Sequence, residues 1–292
     1  MPLSITARLL CAARHAYNVT ATGPVADTPD STRIGFVGTV DGFVDGPDGI
    51  NAALVGEAPD AIVVAFRGTL PPGSPNPGQV ILDWANDVDA LLMTDPGGLP
   101  GNVHQGFLGA LDSLWPAMEP VVKSRSTASP AKPIYVTGHS KGGPLANLAA
   151  MRLRAALPTT PVMVATFAGA RPGDEAFAAA YDAAIPHGAR YEYADDIVPH
   201  LPPSDEFVAM FKNIPEIGPT VQKLTLGYAS VGDLHFIDWD GNFVPDTPLL
   251  RLERFASLAK LLVTFGFATI VADHSIEVNK SGYDKAIEAL PA

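Results

Sequence analysis

The chain has 292 residues, of which 47% are hydrophobic and 17% charged, so it has ample material for a buried core and no compositional sign of disorder. Its formal net charge of −12, without any Lys/Arg-rich run, is unsuited to phosphate backbones and excludes nucleic acid as an expected partner. The single cysteine, Cys11, cannot form an internal disulfide, and no Cys/His spacing is typical of a zinc site, so we expect no metal.

The predicted elements follow one another in an order typical of an α/β protein. A helix-like pattern occupies roughly the first 22 residues, and Gly and Asp between 38 and 49 favour hairpins. Short apolar runs then predict four buried strands, at 61–66, 133–137, 161–167 and 190–194. A helix predicted over 143–157 completes a βαβ unit, so we expect one domain over 1–292 with a mainly parallel central sheet flanked by helices.

The sequence contains no clear signal for a membrane span or for a particular cellular compartment. The longest apolar stretch, 261–272, is shorter than the roughly 20 residues of a transmembrane helix, and we expect it to be buried core. The N-terminus lacks the basic-then-apolar pattern of a signal peptide, so the cytoplasm is the default compartment and a secreted mature form is the alternative. The oligomeric state stays open.

A glycine-rich turn around Ser140 is the strongest chemical signal. Thr137-Gly-His-Ser-Lys-Gly-Gly143 contains Gly-x-Ser-x-Gly between a predicted strand and a predicted helix, the context in which this motif presents a nucleophilic serine. The small residues Gly138 and Gly142 allow the sharp turn, and the amides at the start of the helix would face a developing oxyanion. The alternative is a turn whose serine only caps a helix.

A serine nucleophile needs a histidine base and a carboxylate that orients it. In the fold that carries this motif, the chain order is serine, acid, histidine. Periodicity does not choose among the histidines that follow Ser140, although the polar surroundings of His274 favour a base on a loop. Asp195 and Asp196 both follow the fourth strand, and position alone does not separate them. The candidate bases are His187, His200, His235 and His274.

Six separated motifs follow one another along the chain. They are Val64-Ala-Phe-Arg-Gly-Thr69, Asp83-Trp84 with Asp87, Val103-His-Gln-Gly-Phe107, the serine turn, Thr166-Phe-Ala-Gly-Ala-Arg171 and Asp196-Ile-Val-Pro199. In this order they resemble the class 3 lipases, the group that includes the fungal triacylglycerol lipases of the Rhizomucor type. The resemblance covers roughly residues 60 to 204, with a weaker match at His274.

The resemblance implies an α/β-hydrolase fold and assigns roles to individual residues. Ser140 would be the nucleophile, Asp196 the acid and His274 the base, while Thr69 and Lys141 would form the oxyanion hole. The family usually has Leu after the serine, so Lys141 is a departure that affects the acyl pocket and the response to pH. The disulfides frequent in secreted fungal members cannot form with one cysteine.

The resemblance also implies a substrate side. A lid-like helix is expected at about 80–92, where Trp84 and Val88 share an apolar face, and its opening would allow transient contact with a lipid surface. An ordinary core-packed helix is the alternative. His139 is a third expected substrate contact, and an insertion at about 202–235 separates acid from base.

Together these features predict a carboxylic ester hydrolase, without cofactor, acting on acylglycerols or simpler fatty acyl esters through an acyl-enzyme. A phospholipase or feruloyl-type esterase is the alternative within the same chemistry, because this fold changes substrate through its loops. A catalytically silent scaffold that binds a ligand or protein is the alternative from another class.

Overall fold

The computed structural model describes residues 3–45, 49–69, 91–213, 227–264 and 266–292. Its strands are β1 Gly23–Pro24, β2 Asp41–Val44, β3 Ala52–Ala58, β4 Ala61–Phe66, β5 Leu92–Thr94, β6 Asn102–His104, β7 Ile134–His139, β8 Val162–Phe167, β9 Gly173–Asp174, β10 Ala189–Tyr193, β11 Tyr228–Ala229, β12 Asp233–Ile237 and β13 Phe243–Val244. Its α-helices are α1 Ile5–His15, α2 Pro29–Ile34, α3 Gln105–Ala128, α4 Gly142–Ala156, α5 Glu175–Ala184, α6 Asp205–Phe211, α7 Pro248–Val263, α8 Phe267–His274 and α9 Gly282–Glu288.

The large sheet is parallel at its centre and antiparallel at its edges. Its strand order is β1-β2-β3-β4-β7-β8-β10-β12-β13. Neighbours from β4 to β12 pair in parallel, whereas β1 to β4 and the β12–β13 pair run antiparallel. The sheet is therefore mixed, and the expected parallel arrangement applies to its central five strands. A smaller antiparallel sheet has the order β11-β9-β6-β5.

Helices cover both faces of the central sheet, as β4 illustrates. All six of its residues are buried, and they alternate between two apolar clusters. Ile62, Val64 and Phe66 join the cluster that contains α3 and α4, while the residues between them join the cluster formed with α1 and α9. This two-sided burial explains why the strand reads as an unbroken apolar run rather than an alternating one.

The apolar stretch 261–272 was expected to be buried core, and the structure bears this out in part. It is divided between the end of α7 and most of α8, and among its described residues Leu262 and Ile270 are the buried ones. Leu261 and Phe267 are partly buried and also pack against the core, whereas Thr264, Ala268, Thr269 and Ala272 are exposed, because a helix presents only one face to the core. No helix in the described ranges is both long enough and apolar enough to cross a membrane.

Two expected segments are only partly described. Residues 80–90 of the expected lid-like helix, including Trp84 and Val88, lie outside the described residues, and Leu92 begins β5. The insertion at 202–235 contributes α6, β11 and the start of β12. Within it, Phe207 and Phe211 stack on each other and pack against Phe255 of α7, so they belong to the core.

Candidate active site

Ser140 occupies a strained turn between β7 and α4. Its φ of 56° lies in the left-handed region, which non-glycine residues rarely adopt. A Cβ at Gly138 would overlap the backbone of Gly142, and one at Gly142 would overlap the carbonyl of Phe66 on β4. Glycines two positions on either side of the serine are therefore sterically required, as the motif predicts.

The Arg67-Gly68-Thr69 segment passes directly against this turn. A Cβ built on Gly68 would lie 2.7 Å from the carbonyl oxygen of His139 and 3.0 Å from Cβ of Ser140. Thr69 follows and is exposed, and Lys141 is the N-cap of α4. The two residues expected to form an oxyanion hole therefore belong to segments that meet at Ser140.

His274 and Asp196 form a hydrogen-bonded pair. His274 Nδ1 lies 3.0 and 3.1 Å from the two carboxylate oxygens of Asp196. Because the carboxylate accepts, Nδ1 carries the proton and Nε2 is left as the basic nitrogen, the tautomer that a general base requires. His274 is the last residue of α8 rather than part of a loop, and Asp196 is almost fully buried.

A second histidine joins the serine turn to this pair. His139 Nε2 donates to the backbone carbonyl of His274 at 2.8 Å, and its Nδ1 accepts from the hydroxyl of Tyr17 at 2.8 Å. The two imidazole rings lie 4.6 Å apart. Burial, together with the charge of His274, holds the pKa of His139 well below 6.5. His139 is thus neutral, and both of its ring nitrogens are engaged by protein groups, which leaves neither free for a substrate.

Asp196 accepts two further hydrogen bonds. The Val198 amide donates to Asp196 Oδ1 at 3.0 Å, and the hydroxyl of Tyr283 donates to Oδ2 at 2.9 Å. Tyr283 also accepts from the backbone N–H of Tyr193 at 3.0 Å and is completely buried. Burial and the adjacent carboxylate raise its pKa well above 10, so it stays a donor. Sequence reasoning missed Tyr283, because a lone tyrosine near the C-terminus carries no local signal.

The helix that carries Tyr283 is tied to the N-terminal helix. Arg14 of α1 donates to Asp284 Oδ1 at 2.5 Å, and both side chains are buried. Arg14 also pairs with Asp30 at 3.0 Å. A buried guanidinium of this kind holds both carboxylates in fixed positions, which fixes α9 and therefore Tyr283 against the sheet.

The side chain of Lys141 makes a buried polar contact with Asn51. Its Nζ donates to Asn51 Oδ1 at 2.7 Å, and the residue is only 8% exposed. Asn51 in turn donates its backbone N–H to Asp45 at 2.6 Å. Burial lowers the pKa of Lys141 from 10.5 to about 8; Asp45 opposes this shift and Arg67 adds to it. The ammonium is therefore engaged by Asn51, and the backbone N–H of Lys141 is the group expected at an oxyanion hole.

The other candidate bases and the second candidate acid make different contacts and do not take part in the His274–Asp196 pair. The side chain of His187 is 88% exposed. His235 lies on β12 and stacks on Tyr191 at 4.9 Å. His200 is partly buried beside Arg254, and the desolvation of its imidazole lowers its pKa to about 3. Asp195 accepts from Trp239 Nε1 at 2.7 Å instead of facing His274. In the described parts of the chain, no cluster of His, Cys, Asp and Glu is arranged to hold a metal ion.

The sequence has clear relatives. Residues 63–206 match the family described as Lipase (class 3). A Caenorhabditis elegans lipase is 42% identical over 152 residues, which are 51% of this chain and 40% of the relative. The lipase of Rhizomucor miehei is 30% identical over 206 residues, 67% of this chain and 52% of the relative. The chain thus spans about half the length of these curated relatives.

Solved structures show the same fold. A lipase from Rhizopus microsporus var. chinensis superposes with a TM-score of 0.63 at 20% identity, covering 97% of this chain and 88% of its own. Rhizomucor miehei triacylglyceride lipase gives a TM-score of 0.59 at 20% identity, with 81% and 80% coverage. The expected α/β-hydrolase fold is thereby confirmed, and the chain belongs to the class 3 lipase family.

Proposed function

We propose that this protein hydrolyses carboxylic esters, namely acylglycerols or simpler fatty acyl esters, through an acyl-enzyme formed on Ser140. The observation that carries the proposal is the His274–Asp196 hydrogen bond beside a serine held at a φ of 56°. A relative from Gibberella zeae, 31% identical over 169 residues, is named as a secreted mono- and diacylglycerol lipase, and that name supports the acylglycerol class.

Each group has one task in the proposed cycle. Ser140 Oγ attacks the ester carbonyl carbon while Nε2 of His274 takes its proton, and Asp196 stabilises the imidazolium that forms. The backbone N–H groups of Lys141 and Thr69 stabilise the oxyanion, together with the Thr69 hydroxyl. His274 then protonates the departing alcohol. A water molecule repeats the sequence to release the fatty acid and restore Ser140.

The structure also suggests how the base is kept in place. His139 is the last residue of β7, directly before Ser140, and its Nε2 donates to the backbone carbonyl of His274. The position of the nucleophile and that of the base are therefore coupled through one imidazole. Misplacement of about 1 Å between reacting groups can cost a hundredfold in rate, so a direct link of this kind favours catalysis.

The test is hydrolysis of nitrophenyl esters with acyl chains of two to sixteen carbons, with tributyrin emulsion as a second substrate. We expect activity in wild type and losses of about 10³-fold or more in Ser140→Ala and His274→Ala. His187→Ala is the matched control, since it removes an exposed histidine, and it should retain full activity.

The outcomes separate the alternatives. Hydrolysis of long-chain esters and tributyrin supports the proposal, while hydrolysis of phospholipid or aryl esters alone contradicts the substrate class. An inactive folded wild type that an active-site phosphonate does not label at Ser140 contradicts the enzyme assignment and favours a binding scaffold.

A further inference from the structure

The last turn of α8 touches the acid loop at two successive residues. His274 binds the side chain of Asp196, and the preceding residue, Asp273, accepts the backbone N–H of Asp195 on Oδ2 at 3.2 Å. Two consecutive residues of the helix end thus hold two consecutive residues of the loop. The mechanism uses the first contact only, and the second has no assigned role.

Asp273 lies among negatively charged groups. Burial is the main influence on its carboxyl, and the carboxylates of Asp195 and Asp196 act in the same direction, so its pKa is raised to about 7. The Asp195 amide works against them. The phenol of Tyr193, at the end of β10, also faces this group. Among the described residues, no lysine or arginine forms an ion pair with Asp273. Asp273 therefore changes charge close to neutral pH.

The carboxylates of Asp195, Asp196 and Asp273 form one cluster, and one oxygen of Asp195 lacks a hydrogen-bond donor. Its Oδ2 accepts from Trp239, but its Oδ1 is buried without a hydrogen-bond partner. A buried carboxylate oxygen without a donor is costly unless a nearby group compensates. The nearby carboxyl of Asp273 remains protonated until about pH 7, which keeps the total negative charge of the three carboxyl groups low.

We propose that Asp273 is a positioning residue for the ester hydrolysis proposed above: it fixes the acid loop against the base, and its ionisation strengthens the stabilisation of the His274 imidazolium. The first part follows from the Asp195 hydrogen bond, and the second from the place of Asp273 in one cluster with Asp196. In its neutral form Asp273 positions the loop without adding charge. In its ionised form it adds a negative charge beside a site where positive charge develops.

This arrangement predicts a second step in the pH profile. The base acts in its neutral form, which gives the ordinary acid limb of the profile. As the pH then rises through about 7, Asp273 ionises and kcat should rise again. The size of the second step should be about three- to tenfold, because the added charge acts through a partly buried medium rather than in direct contact.

Three variants separate positioning from charge. Asp273→Asn keeps an oxygen that can accept the Asp195 amide but cannot ionise, so kcat should match wild type near pH 6 and lack the second rise. Asp273→Ala loses both functions, so kcat should fall at every pH with little change in KM. The matched control is Glu277→Gln, which removes a charge from an exposed residue three positions after His274 and should keep the wild-type profile.

Two spectroscopic measurements, made in the Ser140→Ala background, do not depend on turnover. Infrared spectroscopy should detect a protonated carboxyl that titrates near pH 7, absent in Asp273→Asn and present in Glu277→Gln. Proton NMR should detect the Nδ1–H of His274 in its hydrogen bond to Asp196, retained in Asp273→Asn and weakened or lost in Asp273→Ala.

The kinetic and spectroscopic measurements together distinguish failure of the inference from failure of the proposed function. If wild type hydrolyses no ester, the proposed function fails, and the spectroscopic results alone decide whether Asp273 holds and titrates as inferred. A carboxyl signal that persists in Asp273→Asn overturns the inference. So does an unaltered Nδ1–H signal in Asp273→Ala, or a second kinetic step that survives in Asp273→Asn.

Discussion

Replacing Lys141 by methionine should change the stability of the protein in a way that depends on pH. Methionine has a similar unbranched length but no charge. In wild type the buried ammonium donates to Asn51, and burial lowers its pKa from 10.5 to about 8. The variant removes this disfavoured cation, but it also leaves Asn51 Oδ1 without its donor. The second effect does not depend on pH, so the two can be separated.

The sign and size of the pH-dependent part follow from linkage. Because the folded-state pKa of Lys141 lies below the unfolded value, its charge destabilises the folded state below pH 8, and this cost disappears as the pH rises toward 10.5. A shift of this size corresponds to about 3 kcal/mol at pH 7 and less than about 1 kcal/mol at pH 10. Wild type should therefore gain about 2 to 3 kcal/mol relative to the variant between these pH values.

Urea denaturation at pH 7 and pH 10 measures this difference. Lys123→Met is the control, since Lys123 has a side chain that is 45% exposed and should give a small difference that does not change with pH. A wild-type-minus-Lys141→Met difference that stays constant within about 0.5 kcal/mol would refute the reasoning that Lys141 carries a buried, disfavoured charge.

Two further substitutions test the hydrogen bonds around the His274–Asp196 pair. Tyr283→Phe removes the donor to Asp196 and the acceptor of the Tyr193 amide, so the free energy of unfolding should fall by about 2 to 4 kcal/mol and kcat/KM by about tenfold. An unchanged urea midpoint would contradict this. Tyr17→Phe leaves Nδ1 of His139 unpaired in a buried site, which should cost about 1 to 3 kcal/mol of stability and lower kcat rather than raise KM. A change confined to KM would show that Tyr17 acts on substrate binding instead.

The sequence predicted best those elements whose physics is local. The strand at 61–66 is predicted with its observed bounds, because a doubly covered strand must be apolar at every position. The serine turn is equally visible, since only glycine fits where Gly138 and Gly142 meet the backbone of neighbouring segments. Both features depend on a few adjacent residues.

The sequence predicted poorly whatever depends on contacts between distant segments. Asp195 and Asp196 are equivalent by position, and only the turn after β10 directs one toward His274 and the other toward Trp239. Tyr283 reaches Asp196 across a sequence separation of 87 residues. No pattern within either segment encodes such a meeting. The catalytic roles of the site residues stay predictions that the kinetic variants test.

The ion pair between Arg14 and Asp284 joins residues that are 270 positions apart. Since α9 supplies the Tyr283 hydroxyl to Asp196, this carboxylate receives its full set of hydrogen bonds only when the helix has docked on α1. During synthesis, the serine turn and His274 leave the ribosome before that helix does. The hydrogen bonds around Asp196 are therefore complete only after α9 has been synthesised and has packed against the first helix of the chain.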